Sequence, residues 1–109
     1  SAKEDEMRLD CIYEKPTVDY AQENLAVRCK DGSRYFAVFG QYILTEDVYK
    51  VLEKNIRENR LNRGEIQLTD ALEEVRAASG MMGCRIKGKS YDVGLPQMYI
   101  ETVREFGRI

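Results

Sequence analysis

Apolar residues at helical spacing mark the clearest elements of this chain. One stripe follows the i, i+3, i+4, i+7 pattern of a helix with a single buried face and consists of Leu68, Ala71, Leu72 and Val75. It predicts a helix over Glu65–Ala78, which Ser79-Gly80 terminates. A second stripe follows Thr45, a candidate N-cap, and comprises Val48, Val51, Leu52 and Ile56. It predicts a helix that ends near Arg60.

One further helix and a short helical segment are expected. Pro96 suits the first turn of a last helix, because its missing N–H group is harmless there. The inward face of that helix is predicted to carry Tyr99, Ile100, Val103 and Phe106. The stretch from Thr17 to Asn24 predicts one or two helical turns.

The remaining apolar segments favour strands. Leu9–Tyr13 is one, and Pro16 ends it. Asp31-Gly32 is a strong hairpin signal, so residues 25–29 and 34–44 are expected to pair around it. The second of these strands is apolar on both faces, as a central covered strand is, and we expect it to cover the stripe on Leu68, Leu72 and Val75. A strand over 81–86 follows.

Composition excludes several classes of function. The 109 residues suit one domain, and 17 basic against 19 acidic residues give a net charge of −2, which favours neither nucleic acid nor a membrane surface. No apolar run reaches the length of a membrane helix. Three cysteines without any histidine argue against a zinc site and against a disulfide framework. We therefore expect a cytoplasmic protein whose cysteines are small core residues.

Polar residues beside proline and glycine are the candidates for chemistry. Glu14 and Lys15 lie at the C-terminal end of the first predicted strand, where open α/β sheets bind ligands. The alternative interpretation is that they are an exposed charge pair before a turn. Asp92 lies two residues before Gly94, and it either coordinates a cation or bonds its own backbone in a turn. Gly40 interrupts an apolar strand, which indicates a close approach of a ligand or a simple adjustment of twist. No nucleophile elbow, Walker loop or dinucleotide fingerprint is present.

Four separated motifs resemble, in order, those of bacterial UTP-glucose-1-phosphate uridylyltransferases, a branch of the sugar nucleotidyltransferases. They are Glu14-Lys15-Pro16, Asn24-Leu25-Ala26 with Gly40-Gln41-Tyr42-Ile43-Leu44-Thr45, Gly64-Glu65-Ile66-Gln67-Leu68-Thr69-Asp70-Ala71-Leu72, and Gly88-Lys89-Ser90-Tyr91-Asp92-Val93-Gly94. The resemblance covers nearly the whole chain. It departs from the family at Gln41, where arginine is common, and in the length of the hairpin around Asp31-Gly32.

The resemblance implies an α/β fold, the C-terminal portion of a Rossmann-like nucleotidyltransferase with a mixed sheet, a hairpin and about three helices. In such enzymes a sugar 1-phosphate attacks the α-phosphorus of UTP and releases pyrophosphate. Carried over by position, Glu14 would accept hydrogen bonds from sugar hydroxyls, Lys15 would hold the sugar phosphate, Gly40 would line the substrate site, and Asp92 would help to bind Mg²⁺. No catalytic residue is assigned.

The family's glycine-rich nucleotide loop, catalytic lysine and first metal-binding aspartate have no counterpart in these residues. We therefore expect residues 1–109 to be a single C-terminal, sugar-phosphate-binding domain that is inactive by itself and prone to self-association as a homo-oligomer. The alternative is a non-catalytic sugar-phosphate-binding or oligomerisation module of the same fold. The roles of Gln67, Thr69 and Asp70, which are poor helix formers at the start of a helix, stay open.

Overall fold

The computed structural model describes residues 5–108, and residues 1–4 and 109 lie outside this range. Helices and short strands are interspersed along the described chain. In order they are β1 (Glu6–Arg8), α1 (Val18–Asn24), β2 (Val27–Cys29), β3 (Gly32–Arg34), α2 (Glu46–Arg57), α3 (Leu68–Ser79), β4 (Met82–Cys84) and α4 (Pro96–Phe106). The α/β class is confirmed. Within the described residues there are four helices, and the strands form two separate antiparallel pairs, β1 with β4 and β2 with β3.

The predicted hairpin forms around Asp31-Gly32, but it is short. Cys29 pairs with Gly32, whose φ of 115° lies in the left-handed region that glycine adopts without strain. The second strand ends at Arg34 rather than at Leu44, and residues 35–44 form neither helix nor strand. This part of the prediction is wrong because apolar, β-favouring residues make a strand only where another strand completes their hydrogen bonds.

The core lies between α2 and α3. Val48 of α2 packs with Ala71, Leu72 and Val75 of α3, and all four are buried. The helical stripe is thus confirmed, although Leu68 is only partly buried. Its predicted partner was wrong, because α2 rather than residues 35–44 covers it. From the predicted strand only Leu44 packs against this core, while Phe36, Val38 and Ile43 are exposed.

Polar contacts join the same two helices. A salt bridge between Lys54 of α2 and Glu74 of α3 closes the rim of the interface. Asn55 of α2 is buried, and its side-chain oxygen Oδ1 has no hydrogen-bond partner within the described residues. A buried acceptor without a donor costs free energy, so Asn55 is a weak point in this core.

The first strand lies earlier in the chain than predicted, because β1 pairs Met7 with Gly83 of β4. Leu9 extends this pairing by one bond, donating its N–H to the Met81 carbonyl at 2.9 Å. Residues 10–13 then leave the sheet. The Ile12 N–H donates to Glu73 of α3 at 2.9 Å, so this segment lies along α3 instead of forming a strand.

The last helix begins at Pro96, as predicted, but it does not pack on the core. Tyr99, Val103 and Phe106 of α4 are all more than half exposed, so their predicted inward face is wrong. Cys29 and Cys84 are exposed as well, which contradicts their assignment as core residues. The described chain has a radius of gyration of 16.7 Å and measures 49 × 36 × 31 Å. Among the helices in residues 5–108, none has the length and apolar character that crossing a membrane requires.

Candidate functional site

Glu14 lies in the loop between β1 and α1 and is held by the first turn of α3. The Thr69 hydroxyl donates a hydrogen bond to Oε2 of Glu14 at 2.5 Å, across 55 residues of sequence. Short O–H···O⁻ bonds of this kind are charge-assisted and strong. Glu14 is half-buried, so one carboxylate oxygen is fixed by the protein while the group remains within reach of a ligand.

Lys15 has an exposed side chain on a strained backbone. Its φ of 44° is in the left-handed region, which costs a non-glycine residue about 1 to 2 kcal/mol. The Arg63 guanidinium donates from Nη2 to the Lys15 carbonyl oxygen at 2.8 Å and helps to hold this conformation. Strain that the surrounding structure maintains is a recognised mark of functional loops.

Arg63 is itself presented by a tight turn over residues 62–65. Asn62 and Glu65 exchange backbone hydrogen bonds of 2.8 and 3.2 Å. The two central residues, Arg63 and Gly64, have φ values of 54° and 81°, as a type I′ turn requires. The Asn62 side-chain amide donates to Oδ1 of Asp70 at 3.1 Å and so anchors the turn to α3.

A salt bridge within α3 fixes the segment that leads to Glu14. Arg76 donates from Nε and Nη2 to the two carboxylate oxygens of Glu73, at 2.7 and 2.8 Å. The hydrogen bonds from Arg76 lower the pKa of Glu73 from its ordinary value, and the Ile12 N–H adds to this, although burial opposes it. Glu73 accepts the Ile12 N–H and Arg76 donates to the Leu9 carbonyl at 3.5 Å, so the pair holds residues 9–12 along α3.

A shallow depression of about 230 Å³ lies next to the Glu14-Lys15 loop. Its lining is mostly apolar and consists of Pro16, Thr17, Val18, Ala21, Gln22 and Tyr35. Tyr13 stacks on Tyr20 with ring centroids 4.2 Å apart, which ties the loop to α1. Burial is the main cause that raises the pKa of Tyr20 above its ordinary value. The depression beside the Glu14-Lys15 loop therefore offers a mostly apolar surface against which a ligand can pack.

Asp92 lies in the loop between β4 and α4. Its Oδ1 accepts a hydrogen bond from the Gly94 N–H at 2.8 Å, which is the aspartate turn that the sequence left open as one alternative. The loop is joined to α4 by a salt bridge from Lys89 to Glu105 and by Tyr91 against Phe106, at 5.1 Å between ring centroids. Asp92 is exposed, and its other oxygen is available to a ligand.

Gly40 lies in the irregular segment 35–44, with a φ of 80° and open space where a Cβ atom would be. Glycine is favoured at position 40 because of the positive φ, and not because a side chain would lack space. Within residues 5–108, no hydrogen bond or salt bridge connects Glu14 or Lys15 to Gly40 or Asp92. The resemblance leads us to expect that Glu14 and Lys15 open onto the same cavity as Asp92, and this stays a prediction.

Acidic residues of the described chain do not form a metal site by themselves. No group of three or more His, Cys, Asp or Glu residues suited to a metal ion occurs in residues 5–108. Asp92 offers one free carboxylate oxygen. Mg²⁺ in nucleotide enzymes is held by one or two carboxylates together with substrate phosphates, so Asp92 fits the part of a single ligand.

The structure thus supplies one oriented carboxylate and one exposed cation at consecutive residues, Glu14 and Lys15. A carboxylate accepts hydrogen bonds from hydroxyl groups, and an ammonium pairs with phosphate. Sequence reasoning did not find Thr69 and Arg63, which hold these two residues. The sequence contained one hint of a role for Thr69, which is that a poor helix former lies in the first turn of a helix.

The chain is similar in sequence to known nucleotidyl transferases. The family model described as nucleotidyl transferase matches residues 2–107. The chain is 32% identical over 100 residues to a UTP–glucose-1-phosphate uridylyltransferase of Pseudomonas aeruginosa, covering 92% of this chain and 31% of that protein. It is 33% identical over 96 residues to the enzyme of that name from Bacillus subtilis, covering 87% of this chain and 28% of that protein. The chain spans about three tenths of the length of these relatives. No solved structure matches it.

Proposed function

Since the chain belongs to the nucleotidyl transferase family, whose domain is a Rossmann-like α/β fold, we propose that it is the sugar-phosphate-binding part of an enzyme that transfers uridylyl from UTP to glucose 1-phosphate. The products are UDP-glucose and pyrophosphate. The names of the relatives support this choice of substrates. The groups that bind the nucleotide triphosphate belong, in this proposal, to parts of the protein outside residues 1–109.

One observation carries the proposal: Glu14, held by Thr69 with one oxygen fixed, precedes the exposed ammonium of Lys15. In the proposed complex the remaining lone pairs of Glu14 accept hydrogen bonds from sugar hydroxyls. Lys15 pairs with the sugar phosphate, whose oxygen attacks UTP. Transfer of this kind depends on position and charge more than on a protein base, which suits a site without a candidate base.

Gly40 and Asp92 have supporting roles in the proposal. Gly40 leaves open space next to a backbone that a substrate can approach. Asp92 would hold a bound Mg²⁺ through a carboxylate oxygen, and the ion would supply neutralisation of phosphate charge. The three free cysteines accord with the proposed cytoplasmic location.

The test uses the protein translated from the complete reading frame that contains these residues. Pyrophosphate release is followed with UTP, glucose 1-phosphate and Mg²⁺. Glu14→Gln is expected to raise the KM for glucose 1-phosphate about tenfold, since a charged acceptor is lost. Lys15→Met is expected to lower kcat/KM about a hundredfold, because the attacking phosphate is no longer held in place.

The matched controls are the same two types of substitution, Glu→Gln and Lys→Met, at solvent-exposed positions away from the proposed site. Glu53→Gln on α2 and Lys30→Met in the hairpin turn should leave both constants unchanged. Binding of glucose 1-phosphate without any turnover would support a non-catalytic module instead. If Glu14→Gln and Lys15→Met match their controls, these two residues do not form the sugar site.

A further inference from the structure

We propose that Thr69 is a positioning residue that sets the direction of the Glu14 carboxylate before the sugar binds. The inference rests on the proposed function and adds to it a residue that touches no substrate. It assigns a role to a polar residue in the first turn of α3 whose presence helix stability does not explain.

The geometry of the contact is favourable for positioning. Thr69 is the second residue of α3, and its hydroxyl lies 2.5 Å from Oε2 of Glu14. A threonine side chain has two main rotamers in a helix, so the backbone of α3 restricts where this hydroxyl points. The donor therefore has fewer conformations than the glutamate that it holds.

Thr69 does not serve its own helix. The N-cap position of α3 belongs to Gln67, and the cap has no side-chain hydrogen bond. A hydroxyl in the first turn can bond nearby backbone groups, but here it is directed to a residue 55 positions away. The stability of α3 comes instead from the buried stripe on Ala71, Leu72 and Val75.

The consequence for Glu14 is a loss of freedom before binding. A free glutamate side chain loses rotamer entropy when a ligand fixes it, and a preformed hydrogen bond removes part of that cost. A carboxylate has about four acceptor sites, so one bond from Thr69 leaves the others for sugar hydroxyls.

The backbone next to Glu14 is held from the same side. Arg63 fixes the Lys15 carbonyl, and the turn that carries Arg63 is anchored to Asp70, the residue after Thr69. Thr69 is thus part of a frame that holds both proposed sugar-phosphate ligands relative to the start of α3. Removing its hydroxyl should release the Glu14 side chain and leave Lys15 in place.

The experiment compares variants of the complete protein in the pyrophosphate-release assay. Thr69→Val removes the donor and keeps the shape, and it is expected to raise the KM for glucose 1-phosphate about tenfold while the KM for UTP changes less than about twofold. Thr69→Ser keeps the hydroxyl and should retain a KM close to that of the unmodified protein. Thr102→Val is the matched control, because the Thr102 hydroxyl donates to the Met98 carbonyl of its own helix, α4.

Two further variants separate positioning from a structural role. Should Thr69→Val fail to fold, Thr69→Ala replaces it, since alanine is the best helix former and only the hydroxyl and methyl groups are lost. In a double-mutant cycle, Thr69→Val should raise the KM for the sugar phosphate less in the Glu14→Gln variant than in the unmodified protein.

Several results would overturn the inference. A KM for glucose 1-phosphate that is unchanged in both Thr69→Val and Thr69→Ala would exclude a positioning role, and so would fully additive effects with Glu14→Gln. A Thr69→Ser variant as weak as Thr69→Val would show that the hydroxyl does not by itself set the direction of the Glu14 carboxylate, and it would overturn the inference. If the unmodified protein does not use glucose 1-phosphate, the proposed function itself fails and the inference falls with it.

Discussion

Replacing Leu72 by alanine tests whether the α2–α3 contact is the core of this chain. Leu72 is 1% exposed and packs with Val48, Ala71 and Val75. The change removes three carbon atoms, which corresponds to about 2.4 kcal/mol of transfer free energy at about 0.8 kcal/mol for each buried methylene. The cavity that remains adds to this, and buried Leu→Ala changes cost about 2 to 5 kcal/mol in total.

The expected loss for this site is about 3 kcal/mol, because partly buried neighbours can move into the space. Those neighbours are Ile12, Leu44, Val51, Leu52, Leu68 and Met81. Urea unfolding followed by circular dichroism measures the loss. With a slope of about 1 to 3 kcal/mol per molar urea for a small domain, the midpoint should fall by more than about 1 M.

The control is Leu95→Ala, at a residue that is 61% exposed, which should change the free energy of unfolding by less than about 0.5 kcal/mol. A loss below about 1 kcal/mol for Leu72→Ala would mean that the stripe on α3 is not the core, whatever its burial. Equal effects of the two substitutions would lead to the same conclusion.

Three further predictions concern a buried amide, a salt bridge and the isolated chain. Asn55→Leu should stabilise the chain by about 1 kcal/mol in urea unfolding, because it removes a buried acceptor without a donor; destabilisation would show that Oδ1 is hydrogen-bonded in solution. Glu73→Gln should cost about 1 kcal/mol at pH 7. Since the fold lowers the pKa of Glu73 from 4.5, its contribution is full above that pH and is lost as the pH falls through the folded-state value, so the two proteins should converge in acid. The 109-residue chain alone should release no pyrophosphate from UTP, glucose 1-phosphate and Mg²⁺; turnover that survives repurification and is lost in Asp92→Ala would contradict this.

The helices could be predicted from the sequence because their signals are local. An apolar stripe and an end signal lie within a dozen residues of each other, and α2 begins one residue after the proposed N-cap Thr45. The start of α3 was placed three residues too early, since the turn at 62–65 continues into an extended Gln67. The hairpin around Asp31-Gly32 was predictable for the same local reason.

Strands and contacts across the chain could not be read in this way. Residues 35–44 have strand-like composition, but composition does not indicate whether a partner strand is available. Glu14 and Lys15 could be proposed from their position before Pro16, whereas Thr69 and Arg63 meet them only through folding across 55 and 48 residues. A single sequence contains no direct signal for such pairs.

The extended dimensions of the chain affect how its association state must be measured. A compact domain of this length has a radius of gyration of about 13 Å, whereas the described residues reach 16.7 Å. Gel filtration separates by hydrodynamic size, so a monomer of this shape will elute early and resemble a dimer when it is calibrated against globular standards. Light scattering or sedimentation equilibrium, which report mass independently of shape, is the measurement that distinguishes self-association through the exposed apolar residues from an elongated single copy.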